Sequence, residues 1–215
     1  MPAKIIVITN QKGGCGKTTV TMNLVPAFVK NGFKVLIVDG DPQGTATRWA
    51  SAASDNNPYP APVIGLSNTN DKAHNEIKKH IHNYDYIIVD CPPAADSEFS
   101  QSALLVADLA LVPIKPTPPD LWAAVGIKKV INSVLVQNEN LISKLVISMR
   151  QTNSMNNEVL SILKDFGIEM LNSNIFQRTA YTQASLGTSV LHLKDPKAIA
   201  EISGLYAEII ALLKP

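Results

Sequence analysis

The stretch KIIVITNQKGGCGKTTV at residues 4–20 joins an apolar, β-branched run to a segment of helical period through a turn holding Gly13, Gly14 and Gly16. Runs of the same apolar kind return at KVLIVD (34–39), YDYIIVD (84–90), LALVPI (109–114) and KLVISM (144–149), with weaker ones at PVIGL (62–66) and LNSNIF (171–176). They are apolar throughout rather than alternating, so both faces of each must be covered. Helical patterns fit between them at 17–31, 71–82, 96–107, 119–137, 154–166 and 196–213. Strand and helix in alternation predict a doubly wound α/β fold, with a mostly parallel sheet and helices on both faces.

The 215 residues, 46% of them hydrophobic, suffice for a single domain over 1–215. A net charge of +1 announces neither a broadly basic face nor an acidic tail, so any nucleic-acid surface must be local. No apolar run reaches the length of a membrane span, and a first strand at Lys4 leaves no room for a cleavable signal, so a cytoplasmic location is expected. Cys15 and Cys91 are too few for a disulfide framework, and His80 and His82, two apart on a helix, offer no metal pattern. SAASDNNPYPAP at 51–62 reads as a long surface loop. In the last helix, Asp195 is placed to cap and Pro196 to take the first position. Ile199, Ile202, Tyr206, Ile209 and Leu213 form its apolar stripe. Pro26 lies inside the first helix, where proline removes a backbone bond at a cost of ~3 kcal/mol, and predicts a kink.

The chemistry sits in QKGGCGKTTV at 11–20. A glycine-rich turn between strand and helix points backbone N–H groups inward, and the helix N-terminus adds its positive end, so together they hold phosphates. Gly13, Gly14, Cys15, Gly16, Lys17, Thr18 and Thr19 form that cradle, with Lys17 charging the β- and γ-phosphates and the Thr18 hydroxyl available to Mg²⁺. Two acidic sites follow at strand ends, where open α/β sheets place their ligands: Asp39 and Asp41 in VDGDPQGTAT (38–47), and Asp90 in IIVDCPPA (87–94).

One departure is informative, because the ordinary phosphate loop has glycine at position 11 and this chain has Gln11 followed by Lys12. KGGCGKTT resembles the deviant Walker A box of the ParA and MinD superfamily of P-loop ATPases, and the two acidic segments resemble its later boxes. The resemblance implies ATP or ADP with Mg²⁺ as ligands, hydrolysis of ATP, and a homodimer with nucleotide sandwiched between subunits. It implies that Lys12 reaches the partner's phosphates, that Asp41 positions the attacking water, that Asp39 lies near the magnesium shell, and that Asp90 and Thr18 hold the metal. IKPTPPDLWA at 114–123 resembles the proline-rich turn that lines the adenine and dimer face, which brings in Pro116, and RTAYTQASLGTSV at 178–190 resembles the superfamily's C-terminal signature. A start so close to the phosphate loop resembles the short ParA type, without an amino-terminal helix-turn-helix domain.

The implied function is partition: an ATP-dependent dimer binds DNA non-specifically and moves cargo through a ParB-like centromere-binding protein or another cargo adaptor. Arg150, Arg178, Lys194 and Lys197, late in the chain, are the candidate DNA contacts. A chemoreceptor array or a protein microcompartment is the alternative cargo. A MinD-like membrane ATPase would need a terminal amphipathic helix with a basic face, which AEIIALLKP does not offer, so no membrane partner is expected. An electron carrier like the nitrogenase iron protein would need cysteines free for a cluster, and a scaffold without hydrolysis would not need Asp41. Both cysteines are expected beside the nucleotide, so that alkylating Cys15 would block ATP binding.

Overall fold

The structure, a computed structural model, describes residues 1–94 and 97–214. Among these the strands are β1 (Lys4–Ile8), β2 (Val35–Asp39), β3 (Val63–Gly65), β4 (Tyr86–Asp90), β5 (Leu109–Ile114), β6 (Ile142–Arg150) and β7 (Met170–Phe176). All pair in parallel, in the order β3-β2-β4-β1-β5-β6-β7, as the unbroken apolar runs require. The helices are α1 (Lys17–Lys30), α2 (Thr45–Ser51), α3 (Ala73–Lys78), α4 (Glu98–Leu104), α5 (Pro118–Leu135), α6 (Ser154–Lys164), α7 (Thr179–Ala184), α8 (Val190–Leu193) and α9 (Pro196–Leu213). A 3₁₀ turn over Ser67–Lys72 takes up the start of the helix expected at 71–82. The helix expected from position 96 begins outside the described residues.

Successive strand residues point to opposite faces, so each strand feeds two cores. Ile6 and Ile8 of β1 pack with Leu24 and Phe28 of α1 and with Ile202, Leu205 and Ile209 of α9. Ile5 and Val7 pack with Leu104 of α4, Ile127 and Ile131 of α5 and Leu163 of α6. Asp195 caps α9 as the sequence predicts, accepting the N–H groups of Lys197 and Ala198. The buried stripe of that helix is Ala198, Ile202, Leu205, Ile209 and Leu213, with Ile199 and Tyr206 at its half-buried margins.

Helix α1 continues through Pro26 to Lys30, and one expectation beside it is refined. The carbonyl of Met22, which the missing Pro26 N–H would have satisfied, instead accepts the Tyr59 hydroxyl at 2.7 Å. Tyr59 belongs to the segment read as a surface loop, so that segment is partly built into the fold; Ala61 beside it is buried.

Candidate nucleotide site

The site forms at the carboxyl ends of β1, β2 and β4, where Asp39 and Asp90 lie side by side in register and Ile8 neighbours Asp90. The chain leaves β1 through Asn10, whose amide donates to the Pro113 carbonyl at 2.6 Å, and turns into α1. Gly14 (φ 69°) and Gly16 (φ 95°) hold left-handed backbone that L side chains resist, so glycine is required there by conformation. Gly13 has no such requirement. With Gly16 as N-cap and no side-chain cap, the first N–H groups of α1 remain open toward the loop.

Lys17 is buried, 7% exposed, and its ammonium donates to the carbonyls of Asn10 (3.2 Å) and Lys12 (3.1 Å). It lies inside its own loop. Lys12 behaves differently: its side chain is 36% exposed and its ammonium leaves the loop for the buried Asp120 Oδ2, 2.7 Å away at the start of α5. Thr18 donates its hydroxyl to Asp90 Oδ2 at 2.6 Å, and Thr21 reaches Oδ1 at 3.3 Å. Burial, partly offset by the Thr18 bond, pushes Asp90 up to about 7, with neighbouring Asp39 adding to the rise. A buried carboxylate beside a second acid and a hydroxyl is a donor set short of positive charge. These residues fit a hard divalent cation such as Mg²⁺.

Asp39 Oδ2 accepts both the N–H and the hydroxyl of Thr47 at 2.8 Å, and its Oδ1 accepts the Asp41 N–H at 3.2 Å. It thereby folds the 41–47 segment over the strand end. Asp41 is half-buried, with Oδ1 on the Gln43 N–H at 2.8 Å.

Beyond the loop lies a cleft of about 290 Å³ lined by Gly16, Thr19, Met149, Phe176, Arg178 and Tyr181 among others. Its wall is shaped by a break in the pairing of β6 with β7, where Met149 takes φ 49° and Ser148 donates its hydroxyl to the Cys15 carbonyl. A bulge beside a ligand site re-aims side chains in this way. Nothing in KLVISM signals it.

Several residues singled out in the sequence are held by partners within the fold. Pro116 is buried, its carbonyl accepting Asn156 Nδ2 at 3.1 Å, away from the cleft lining. Arg178, expected to meet DNA, is committed to Glu201 through Nε (2.7 Å) and Nη2, and stands over Phe176 with Arg150 on the same ring. Of that set Lys194 and Lys197 are exposed, and Arg150 and Arg178 are half-buried. Cys15 is buried and donates to the Lys12 carbonyl, and burial raises its thiol, so facile alkylation is not expected of it. The 178–190 segment lines the cleft and is also tied into the fold: Tyr181 donates to Glu201 (2.9 Å), and Val190 N–H meets Asn23 Oδ1 (2.9 Å). Gly187 lies where a Cβ would come within 2.3 Å of the Ala52 backbone.

A phosphate cradle at the head of α1, paired strand-end aspartates and a loop lysine aimed away from its own cradle define a P-loop ATPase with the deviant form of the loop. The chain belongs to the CobQ/CobB/MinD/ParA nucleotide-binding domain family, whose model matches residues 6–189. It is 31% identical over 209 residues to the maintenance of carboxysome distribution protein A of Halothiobacillus neapolitanus, covering 95% of both chains. With the sporulation initiation inhibitor protein Soj of Bacillus subtilis it shares 30% over 183 residues, covering 67% of this chain and 70% of that one. Among solved structures, Cyanothece McdA in its ATP complex superimposes with a TM-score of 0.78 at 17% identity, over 97% of this chain and 96% of that one.

Proposed function

We propose that this ATPase closes into a dimer around ATP, holds DNA non-specifically in that state, and positions a cargo through an adaptor protein. The observation that carries the reading is the division between the two loop lysines. Lys17 is wrapped inside its own cradle, whereas Lys12 leaves it, its side chain 36% exposed and its ammonium on Asp120. A second cation on the outside of the loop serves a phosphate group that another subunit brings.

In this scheme Lys17 and the open N–H groups of α1 take the charge of the β- and γ-phosphates, and phosphoryl transfer is promoted by placement and charge. Thr18 and Asp90 would hold Mg²⁺, which would supply positive charge to the phosphate oxygens. Asp41 orients the attacking water, on a segment that Asp39 holds in place. The cleft bounded by Met149, Phe176 and Tyr181 takes the base. Lys12 completes the site only on dimerisation, so assembly and hydrolysis are linked.

Lys194 and Lys197, both exposed around the turn into α9, are the leading DNA contacts, with Arg150 beside them in the proposal. Dimerisation doubles such a patch, and affinity for phosphate backbones rises steeply with each contact. The cargo we favour is a protein-shelled compartment served by its own adaptor, because similarity to the carboxysome distribution protein runs the length of both chains. A plasmid or chromosome locus with a ParB-like partner is the second reading. No helix among the described residues is long and apolar enough to cross a membrane, and the apolar stripe of α9 faces the core rather than a lipid surface.

The test compares retention of Asp41→Ala on arbitrary-sequence DNA with ATP, with ADP and without nucleotide. Slowed hydrolysis should leave this variant on DNA with ATP alone, and added salt should release it. Retention that ignores nucleotide, or none in any state, would remove DNA from the scheme.

A further inference from the structure

At the head of α5, two prolines create an unusual carboxylate. Helix starts normally offer several free N–H groups, and an acid in the first turn is compensated by them. Here the first two helical positions are Pro118 and Pro119, which have no N–H to give. Asp120 follows, 2% exposed. Its Oδ2 accepts the Thr117 hydroxyl and the Lys12 ammonium, and its Oδ1 has no partner although buried. Lys12 is thus the cation that the prolines make necessary, and a charge-assisted bond of 2.7 Å supplies it.

We propose that Asp120 is a positioning residue that parks Lys12 within its own subunit and so sets the ATP concentration at which the dimer closes. The inference rests on the reading that Lys12 serves the partner's phosphates. To get there, Lys12 must leave Asp120, and a buried carboxylate loses its cation and keeps one hydroxyl. ATP binding across the interface has to offset that loss. The parked contact biases the chain toward monomer when ATP is scarce, and the two states differ in which anion the lysine meets.

The neighbours of Lys12 give opposite predictions. Asp120→Asn keeps the shape and removes the charge, so the ATP concentration for half-maximal dimerisation should fall about tenfold, the worth of one charge-assisted hydrogen bond. Thr117→Val removes the one donor left to Asp120 once Lys12 departs, so it should raise that concentration. A purely structural role would shift both variants in the same direction. Light scattering across an ATP titration of the full chain reads these shifts, with Lys12→Ala as the control. Dimers formed by Lys12→Ala would overturn the reading on which the inference rests. Loss of dimers in Lys12→Ala with an unchanged or raised threshold in Asp120→Asn would overturn the inference alone. Should Asp120→Asn not fold, an unchanged or lowered threshold in Thr117→Val would do the same.

Discussion

Asp90 carries electrostatic tension at the site, since burial holds it at about 7 against an ordinary 3.8. Between those values the folded chain keeps a proton that the unfolded chain has released. Ligand-free stability should therefore fall as pH rises from about 4 to about 7, then level off. Asp90→Asn should abolish that slope. At pH 8 it should be more stable than the parent by at most roughly 4 kcal/mol, with the two drawing level near pH 4. Denaturant titrations at several pH values measure this, and parallel curves would contradict it. Lys17, Thr18, Asp39 and Asp90 were legible in the sequence because loop and strand ends fix them locally. Asp120, Ser148 and Glu201 were not, because each acts on a partner remote in sequence: Lys12, the Cys15 carbonyl and Arg178 respectively.

At the scale of elements, α1 shows how a proline is accommodated. Its Met22 carbonyl is satisfied by Tyr59 from outside the helix, so Tyr59→Phe should cost ~1–3 kcal/mol, the penalty of a buried acceptor left unpaired. Pro26→Ala restores the N–H, and in that background Tyr59→Phe should cost little. A double-mutant cycle by urea denaturation decides, and equal costs in both backgrounds would refute the pairing. Strand runs and long helices were readable from periodicity, and the last helix down to its Asp195 cap. The short α2, α7 and α8 were not, because Thr45–Ser51, Thr179–Ala184 and Val190–Leu193 span too few turns to show a period. The bulge at Met149 has no composition signal, since its residue type gives no hint of positive φ.

Across the whole molecule, the sheet edges bear on how copies can meet. On β7, the N–H groups of Asn172 and Ser173 donate to Glu208 and that of Phe176 to Glu201, so two acids of α9 occupy the edge where another strand would add. At the other edge β3 spans only Val63–Gly65. Edge-to-edge pairing of sheets is thereby disfavoured, and the proposed dimer meets instead through the phosphate-loop face with ATP between subunits. The central claim is that Lys17 serves its own nucleotide and Lys12 the partner's. It is tested most directly by measuring ATP affinity by calorimetry and mass by light scattering on Lys17→Ala and Lys12→Ala. The account predicts that Lys17→Ala loses nucleotide binding, whereas Lys12→Ala binds ATP within a few-fold of the parent yet stays monomeric. An ATP-dependent dimer formed by Lys12→Ala as readily as by the parent would contradict it.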